Sequence, residues 1–336
     1  MSKGRPSTYD VARRAHVSVS TVSRVINGQA GVDDATRAAV WRAIRELGYE
    51  VVRKPEALAG VLVLAPTVSF SSTHWQLIVS GILDEASRLN VPVMFSSAET
   101  EEEAVAHVRN FYSRNGVLGI ILACFPTHVS AADWLPTGTD TASVSLLMRA
   151  EGSRANIDNY SAVYEATVNL LQLGHRRIAI AINSLAWWAQ QRRLQGYLDA
   201  HAAFGLAPCE EPRTVPNRYA KKWLEERLSA SEPPTAIVAA TSDLSFQLFA
   251  ELHRLDVRIP EELSFVGIGH VRPWVEPLFD SILLPTFDLG VEAVRALRTV
   301  VTYPGREVVT ELPAQLVRVG SVGPPRRVLP SGTEGV

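Results

Sequence analysis

The first residues able to do chemistry are small hydroxylated side chains that surround an arginine near the start of the chain. The run SVSTVSRVIN, residues 18–27, contains four hydroxyl groups together with Arg24 and Asn27. Hydroxyl groups can bond to base edges or to phosphates, and a guanidinium can fork onto guanine or a phosphate oxygen. Such residues on one helix are typical of a helix that lies in the DNA major groove.

Two short helices joined by a tight turn are needed to present this run. Apolar residues at helical spacing predict their shared core: Val11, Ala12, Ala15, Val17, Val22, Val25 and Ile26. By itself this pattern fits an ordinary helical hairpin with a solvated face equally well. Asp33, however, is placed to cap a third helix with apolar positions Val40, Ile44 and Leu47. Three helices favour a minimal DNA-binding headpiece.

The charge of the chain is divided unevenly. Residues 1–54 contain ten Lys and Arg residues against five acidic residues, a net charge of +5. The remaining residues contain 23 basic and 30 acidic residues, a net charge of −7. A basic segment on an acidic body predicts a protein that grips DNA at one end.

The motifs VSVSTVSRVIN, VDDATRAAV and IRELGY resemble, in type, spacing and order, the headpiece of the LacI/GalR family of bacterial transcription regulators. The resemblance implies that Val19 and Ser20, expected to be exposed, read bases, and that the hydroxyls of Ser7 and Thr8 contact phosphates. The residues implied in DNA contacts are Ser7, Thr8, Tyr9, Ser18, Val19, Ser20, Thr21, Ser23, Arg24, Asn27 and Thr36. The family usually has glycine where this chain has His16, which tolerates a left-handed backbone with some strain.

The segment after Tyr49 departs from the family. Val51 and Val52 replace the usual Pro-Asn, but Leu58 lies at the spacing of the leucine that the family inserts into the minor groove. The first core strand begins early, at Val61, so a plain linker stays an open alternative to a hinge helix. We therefore assign residues 1–50 to the headpiece and 51–60 to a hinge or linker.

From Val61 onward, short apolar runs alternate with helical patterns in two rounds. The predicted strands are VLVLAP, VPVMFSS, GVLGIILAC, ASVSLL, RRIAIAI, PRTVPN, PTAIVAA and LSFVGIG. The predicted helices are Trp75–Asn90, Glu101–Asn115, Tyr160–Leu173, Gln190–Phe204, Ala220–Leu228 and Leu244–Leu255. This alternation implies parallel sheets. It predicts an α/β core of two Rossmann-like lobes over 61–322, with a loose tail over 323–336. The core resembles the type I periplasmic-binding-protein-like core of the same family.

The resemblance also implies an effector in the cleft between the lobes. Arg193, in the motif RLQGY, matches the family arginine that grips effector hydroxyls or a carboxylate. Asp243 could accept effector hydroxyls or merely cap the following helix, and Asp158 could meet ligand or simply start one. The further implied effector contacts are His74, Trp75, Trp187, Trp188 and His270, although each tryptophan could instead be core.

One departure concerns the effector. Where the family usually has an aspartate after the strand LSFVGI, this chain has Gly269 followed by His270. The loss of that acceptor weakens the case for a simple monosaccharide. A larger glycoside or a ligand of different polarity remains open.

Other classes of protein fit the sequence poorly. Gly267 and Gly269 lack the third glycine and the following helix of a dinucleotide site, and no nucleophile elbow or metal-ligand spacing occurs. Cys124 and Cys209 are expected to be buried, reduced thiols. No apolar run reaches the length of a membrane span. A solute-binding protein would not explain residues 7–49.

The sequence therefore predicts a cytoplasmic, homodimeric transcriptional repressor that binds a pseudo-palindromic double-stranded DNA operator. Its small-molecule effector is expected to be a sugar or glycoside, and no cofactor, metal or enzymatic activity is expected. In the alternative, the core binds a nucleobase or another ligand, or no small molecule, and DNA binding is constitutive. A solute-binding protein and an NAD-dependent enzyme are the weaker alternatives. Dimer and tetramer remain open, although no C-terminal heptad repeat occurs.

Overall fold

The computed structural model describes residues 6–27, 31–49, 51, 60–67, 69, 73–115, 119–125, 141–269 and 277–325. The chain forms two compact units. Unit 1 contains Met1–Ala155 and Gly290–Thr310, and unit 2 contains Asn156–Leu289 and Glu311–Val336. The chain therefore passes from one unit to the other three times.

Unit 1 begins with the headpiece, which contains helices α1 (Thr8–Ala15), α2 (Val19–Ile26) and α3 (Asp34–Leu47). Each helix has a side-chain N-cap, from Ser7, Ser18 and Asp33 in turn. The predicted left-handed turn is confirmed, because His16 has φ 55° and ψ 41°. The predicted headpiece core is confirmed too, with Val11, Val22, Val25, Val40 and Ile44 buried in one cluster.

The strands of the core are β1 (Val61–Pro66), β2 (Val93–Ala98), β3 (Gly119–Ala123), β4 (Ala142–Leu146), β5 (Arg154–Ile157), β6 (Ile178–Ala181), β7 (Ala236–Ala239), β8 (Ser264–Gly269), β9 (Asp280–Leu283), β10 (Val309–Leu312) and β11 (Gln315–Val317). The helices are α4 (Thr73–Arg88), α5 (Glu101–Asn115), α6 (Asn159–Gln172), α7 (Trp188–Ala203), α8 (Ala220–Leu228), α9 (Ser242–Arg254) and α10 (Thr286–Thr302). Among the described helices, none is both long and apolar enough to cross a membrane.

Two sheets organise these elements. One has six strands in the order β10-β5-β4-β3-β1-β2, and the other has five in the order β11-β9-β8-β7-β6. Strands β6, β7, β8 and β9 run parallel, in a register that pairs Ala181 with Ala239 and Ala239 with Gly267. Their carboxyl ends therefore meet at one edge of the sheet in unit 2.

The structure confirms the two rounds of strands and helices and corrects one strand. PRTVPN was predicted as a strand but forms only an isolated bridge between Ile182 and Thr214. Proline lacks the amide that a ladder requires, so Pro212 and Pro216 on either side of the bridge stop it from extending. The sequence patterns also missed β5, β9, β10, β11 and α10.

The start of the tail is held within unit 2. The carbonyl of Gly323 accepts hydrogen bonds from the His175 ring and the Ser264 hydroxyl, and its amide donates back to Ser264. The loose tail predicted from Gly323 is therefore tied down at its first residue. Residues 326–336 lie outside the described part of the chain.

Candidate functional site

The first candidate site is the exposed face of α2 in the headpiece. Ser18, Ser20, Ser23, Arg24 and Asn27 are all exposed on it. Neither an ion pair nor a hydrogen bond holds the Arg24 guanidinium among the described residues, so it is free to meet a ligand. The side-chain amide of Asn27 donates to the Ser23 hydroxyl at 3.3 Å, which joins two of the predicted DNA contacts.

Val19 is less exposed than the sequence predicted. It is half-buried and packs against the headpiece core. An apolar side chain in the first turn of α2 gains free energy by covering that core, so only part of it remains available to a thymine methyl. Ser20 keeps its expected exposure.

A small hydrogen-bond network surrounds Ser18 at the start of α2. Its hydroxyl oxygen accepts the amide of Thr21 at 3.0 Å. The same oxygen lies 2.7 Å from the hydroxyl of Ser20 and 2.8 Å from that of Thr21. One capping serine therefore connects the hydroxyl groups of two predicted DNA contacts.

The hydroxyl protons of Ser7 and Thr36 already have partners in the structure. Ser7 donates to Asp10 at 2.6 Å, and Thr36 donates to Asp33 at 2.7 Å. The hydrogen bonds from Ser7 lower the pKa of Asp10, and the Thr36 amide and hydroxyl lower the pKa of Asp33. A phosphate could accept the protons of Ser7 and Thr36 only by displacing these carboxylates. Their phosphate contacts therefore stay predictions.

The other predicted contacts of α1 and the linker are placed less uniformly. Tyr9 is 75% exposed, so it can reach a ligand freely. The Thr8 hydroxyl lies 3.0 Å from the Tyr49 hydroxyl, which joins the start of α1 to the residue beyond α3. Val51 is buried in the headpiece core rather than in the linker. Leu58, the predicted minor-groove wedge, lies outside the described residues.

The second candidate site lies in unit 2, around Arg193. This residue is only 7% exposed, and its guanidinium donates to Asn159 Oδ1 and to the Ala240 carbonyl, both at 2.8 Å. Burial lowers the pKa of Arg193 to about 10, so the group remains charged at neutral pH. Within the described part of the chain no carboxylate pairs with it. A buried cation with neutral partners favours a ligand that brings acceptor oxygens.

The rest of the RLQGY motif explains how Arg193 is positioned. A Cβ atom at Gly196 would lie 2.4 Å from the Tyr160 carbonyl oxygen, so glycine allows α7 to cross close to α6. Tyr197 is completely buried and donates its hydroxyl to the Ile178 carbonyl at 2.7 Å. Arg193, Gly196 and Tyr197 therefore lie on one face of α7, which packs against α6 and β6 and holds Arg193 against Asn159.

A chain of amides leads to Asp243 at the same edge of the sheet. Asn183, just beyond β6, donates to Asn217 at 3.3 Å, and Asn217 donates to Asp243 at 3.1 Å. The Oδ1 atom of Asn183 is buried without a partner among the described residues. The N-cap of α9 is Thr241, so the alternative in which Asp243 caps that helix is wrong. Asp243 is instead an exposed acceptor held by an amide.

The remaining predicted effector residues are placed in different parts of the chain. Asp158 caps α6 by accepting the Ser161 amide at 2.9 Å, as expected if it starts the helix. Trp187 and Trp188 are half-buried at the start of α7. In unit 1, Trp75 is 3% exposed and His74 is half-buried, both near the start of α4. His270 lies outside the described residues.

Gly269 has a packing reason for the absence of a side chain. A Cβ atom there would lie 2.7 Å from Cβ of Ser281. The neighbouring strand β9 therefore occupies the space that a larger residue would need, and an aspartate would require this edge to shift.

Several residues of the unit 2 site were missed from sequence: Asn159, Asn183, Asn217 and the Ala240 carbonyl. Asn183 could have been found, because it follows the predicted strand RRIAIAI almost directly. Asn217 ends a segment that was misassigned as a strand. The Ala240 carbonyl is a backbone atom, so no residue type could signal it.

Comparisons with known proteins match the two segments of the chain that contain these candidate sites. Residues 7–51 match the description "Bacterial regulatory proteins, lacI family", and residues 168–322 match "Periplasmic binding protein-like domain". The chain is 30% identical to the HTH-type transcriptional regulator CelR of Thermobifida fusca over 318 residues, which cover 87% of this chain and 91% of that protein. It is 27% identical to catabolite control protein A of Priestia megaterium over 325 residues, covering 92% and 95%.

Among solved structures, the complex of the transcriptional regulator CelR with cellobiose is similar. It matches with a TM-score of 0.65 and 28% identity, covering 94% of this chain and all of that chain.

Proposed function

The chain belongs to the lacI family of bacterial regulatory proteins and is a DNA-binding transcriptional regulator, and we propose that it is a repressor whose α2 reads an operator. A dimer would place two headpieces on a pseudo-palindromic site. The observation that carries the reading role is Arg24, an exposed guanidinium that no described residue pairs with, beside the hydroxyl face of α2. The net charge of +5 over residues 1–54 supports it.

The first test of the reading role replaces Arg24 with alanine. A lost guanidinium contact to guanine or phosphate costs about 1–3 kcal/mol, so we expect binding to a selected operator to weaken about 5- to 150-fold. Fluorescence anisotropy at fixed salt measures this. The control is Arg88→Ala, which removes the same charge from an exposed ion pair with Asp84 on α4. Equal affinity of the Arg24→Ala protein and the wild type would contradict the role of α2.

We further propose that the polar site around Arg193 binds the effector. Its buried guanidinium, the acceptor Asp243 and the Oδ1 of Asn183, which no described residue pairs with, supply both donors and acceptors, as a polyol requires. A carbohydrate is the proposed class, since the similar CelR structure is a complex with cellobiose. Effector binding would change operator affinity through a coupling of about 1–3 kcal/mol.

A thermal-shift screen tests the effector proposal. The panel contains mono- and oligosaccharides, sugar phosphates, nucleobases and nucleosides. A ligand at about 100 times its dissociation constant stabilises the folded state by about 2.7 kcal/mol, which such a screen detects. We expect a carbohydrate to raise the melting temperature of the wild type and to have no effect on Arg193→Ala.

The control for the screen is Arg254→Ala. Arg254 lies in the last turn of α9 and forms exposed ion pairs with Glu251 and Glu225 rather than with any predicted effector residue. This variant should keep the response. A response only to a nucleobase would favour the alternative effector class, and no response at all would favour constitutive DNA binding.

A further inference from the structure

The network at the start of α2 limits what Ser20 can offer to a base. We infer that Ser20 reads DNA as a hydrogen-bond acceptor, and so selects an exocyclic amino group of adenine or cytosine. Ser18 and Thr21 impose this role without touching the base. The inference rests on the proposed function, and it adds the premise that the hydroxyl of Thr21, a predicted DNA contact, donates its proton to a phosphate.

The hydroxyl of Ser18 can form only a limited number of hydrogen bonds. A serine hydroxyl has one proton and two lone pairs. One lone pair of Ser18 accepts the Thr21 amide at 3.0 Å. The second lone pair and the single proton must therefore serve the hydroxyls of Ser20, at 2.7 Å, and Thr21, at 2.8 Å. Ser18 can donate to only one of these two groups and must accept from the other.

Contact with DNA determines which hydroxyls in this network donate and which accept. Phosphate oxygens only accept, so Thr21 must give its own proton to a phosphate that it contacts. Thr21 then accepts the proton of Ser18. Ser18 has no proton left for Ser20, so Ser20 must donate its proton to Ser18. The exposed Ser20 oxygen is left with lone pairs alone facing the groove.

The four bases present different hydrogen-bonding groups in the major groove. Guanine presents two acceptors there, and thymine presents an acceptor and a methyl group. Adenine N6 and cytosine N4 are the amino donors. An acceptor-only Ser20 can bond to these two groups, whereas it meets lone pairs on guanine O6 or thymine O4. A serine without this network could donate or accept and would discriminate less.

The position that Ser20 reads is identified by selection. Full-length wild type and Ser20→Ala are each used to select sequences from a randomised duplex library. The base pair whose preference disappears in Ser20→Ala is the one read by Ser20. Because each A·T or G·C pair presents one amino group in the major groove, on adenine or on cytosine, the selection identifies the amino group to be removed. Unchanged preferences at every position in Ser20→Ala would overturn the inference while leaving the DNA-reading function intact. Failure to select any sequence would contradict the proposed function itself.

An atomic substitution in the DNA then tests the acceptor role. Purine in place of adenine, or 2-pyrimidinone in place of cytosine, removes only the amino group. We expect a three- to tenfold loss of wild-type affinity, the size of about one neutral hydrogen bond, and no loss for Ser20→Ala. Equal losses in both proteins would assign the effect to the duplex and overturn the inference.

The matched pair Thr21→Val and Thr21→Ser tests the network. Valine keeps the shape but removes the hydroxyl, so the Ser18 proton becomes available to Ser20. We expect Thr21→Val to weaken the preference at the position read by Ser20, because Ser20 can then both donate and accept, and Thr21→Ser to retain that preference. A purely structural role for Thr21 predicts weaker binding to all sequences with the preference unchanged, and that result would overturn the proposed network.

Discussion

At the scale of single residues, hydrogen-bond capacity decides which side chains remain available to ligands. Ser7 and Thr36 carry hydroxyls in suitable positions, but each proton is given to the carboxylate of its own cap. Arg24 is held by no other described residue. Arg193 is held by neutral oxygens alone among those residues. The two arginines are therefore the strongest candidates for ligand contacts, one on the surface and one buried.

His201 leads to a prediction about pH. It is fully buried; its Nδ1 lies 2.9 Å from the Tyr197 carbonyl, and its Nε2 has no partner in the described part of the chain. Burial lowers the pKa of His201, so below about pH 6.5 the unfolded chain binds more protons than the folded chain. The stabilising effect of neutral His201 is complete above about pH 6.5 and is lost as the pH falls. The buried His175 has a lowered pKa for the same reason.

The measurement is the free energy of unfolding in urea at about pH 7.5 and about pH 5.5. We expect the wild type to lose stability at the lower pH and His201→Gln to lose less, because glutamine does not titrate. His253→Gln is the control, since His253 makes the same bond to a carbonyl four residues earlier but is exposed. The same pH dependence in His201→Gln and the wild type would contradict the prediction.

At the scale of elements, close helix crossings position the site in unit 2. Helices α6 and α7 approach so closely at Gly196 that a Cβ atom would lie 2.4 Å from a backbone oxygen. Backbone cannot move aside as a flexible side chain can. The crossing also sets the position of Arg193, on α7, against Asn159 at the start of α6.

Gly196→Ala should therefore destabilise unit 2 by about 1–3 kcal/mol, the usual cost of overpacking. The shift in the urea midpoint measures this change. The neighbouring substitution Gln195→Ala alters an exposed residue of the same helix and should change stability by less than about 0.5 kcal/mol. If the two variants unfold at the same urea concentration, the helices can separate at Gly196 without cost.

At the scale of the whole molecule, the proposed dimer makes DNA binding bivalent. Linking two headpieces raises affinity by about 10²–10⁴-fold when both half-sites are engaged. We expect the full-length protein to bind a duplex with two half-sites at least about 100-fold more tightly than a duplex with one. The affinity should also fall as salt rises, because basic side chains displace counterions.

Electrophoretic mobility shifts with the two duplexes provide the measurement. The control is a duplex in which the second half-site is moved by half a helical turn. It keeps both half-site sequences but places the second one on the opposite face of the duplex, where the second headpiece cannot reach it. Equal affinity for one and two half-sites would indicate that a single headpiece binds DNA.

The sequence by itself determined the elements whose signals are local. The cap Asp33, the apolar spacing of α1 to α3 and the helix Glu101–Asn115 all depend on residues a few positions apart. The paired rounds of strand and helix likewise predicted the two α/β lobes. The motif RLQGY singled out Arg193, because the types and spacing of its residues are specific.

Only the tertiary structure decided which groups meet across long distances in the chain. Asp280 accepts the amides of Val319, Gly320 and Ser321, and Arg193 finds a carbonyl at Ala240. Neither partnership has a sequence signal, because backbone atoms are present at every residue. Val19 turned toward the core for a similar reason, since a helix pattern gives the face of a residue but not what covers it.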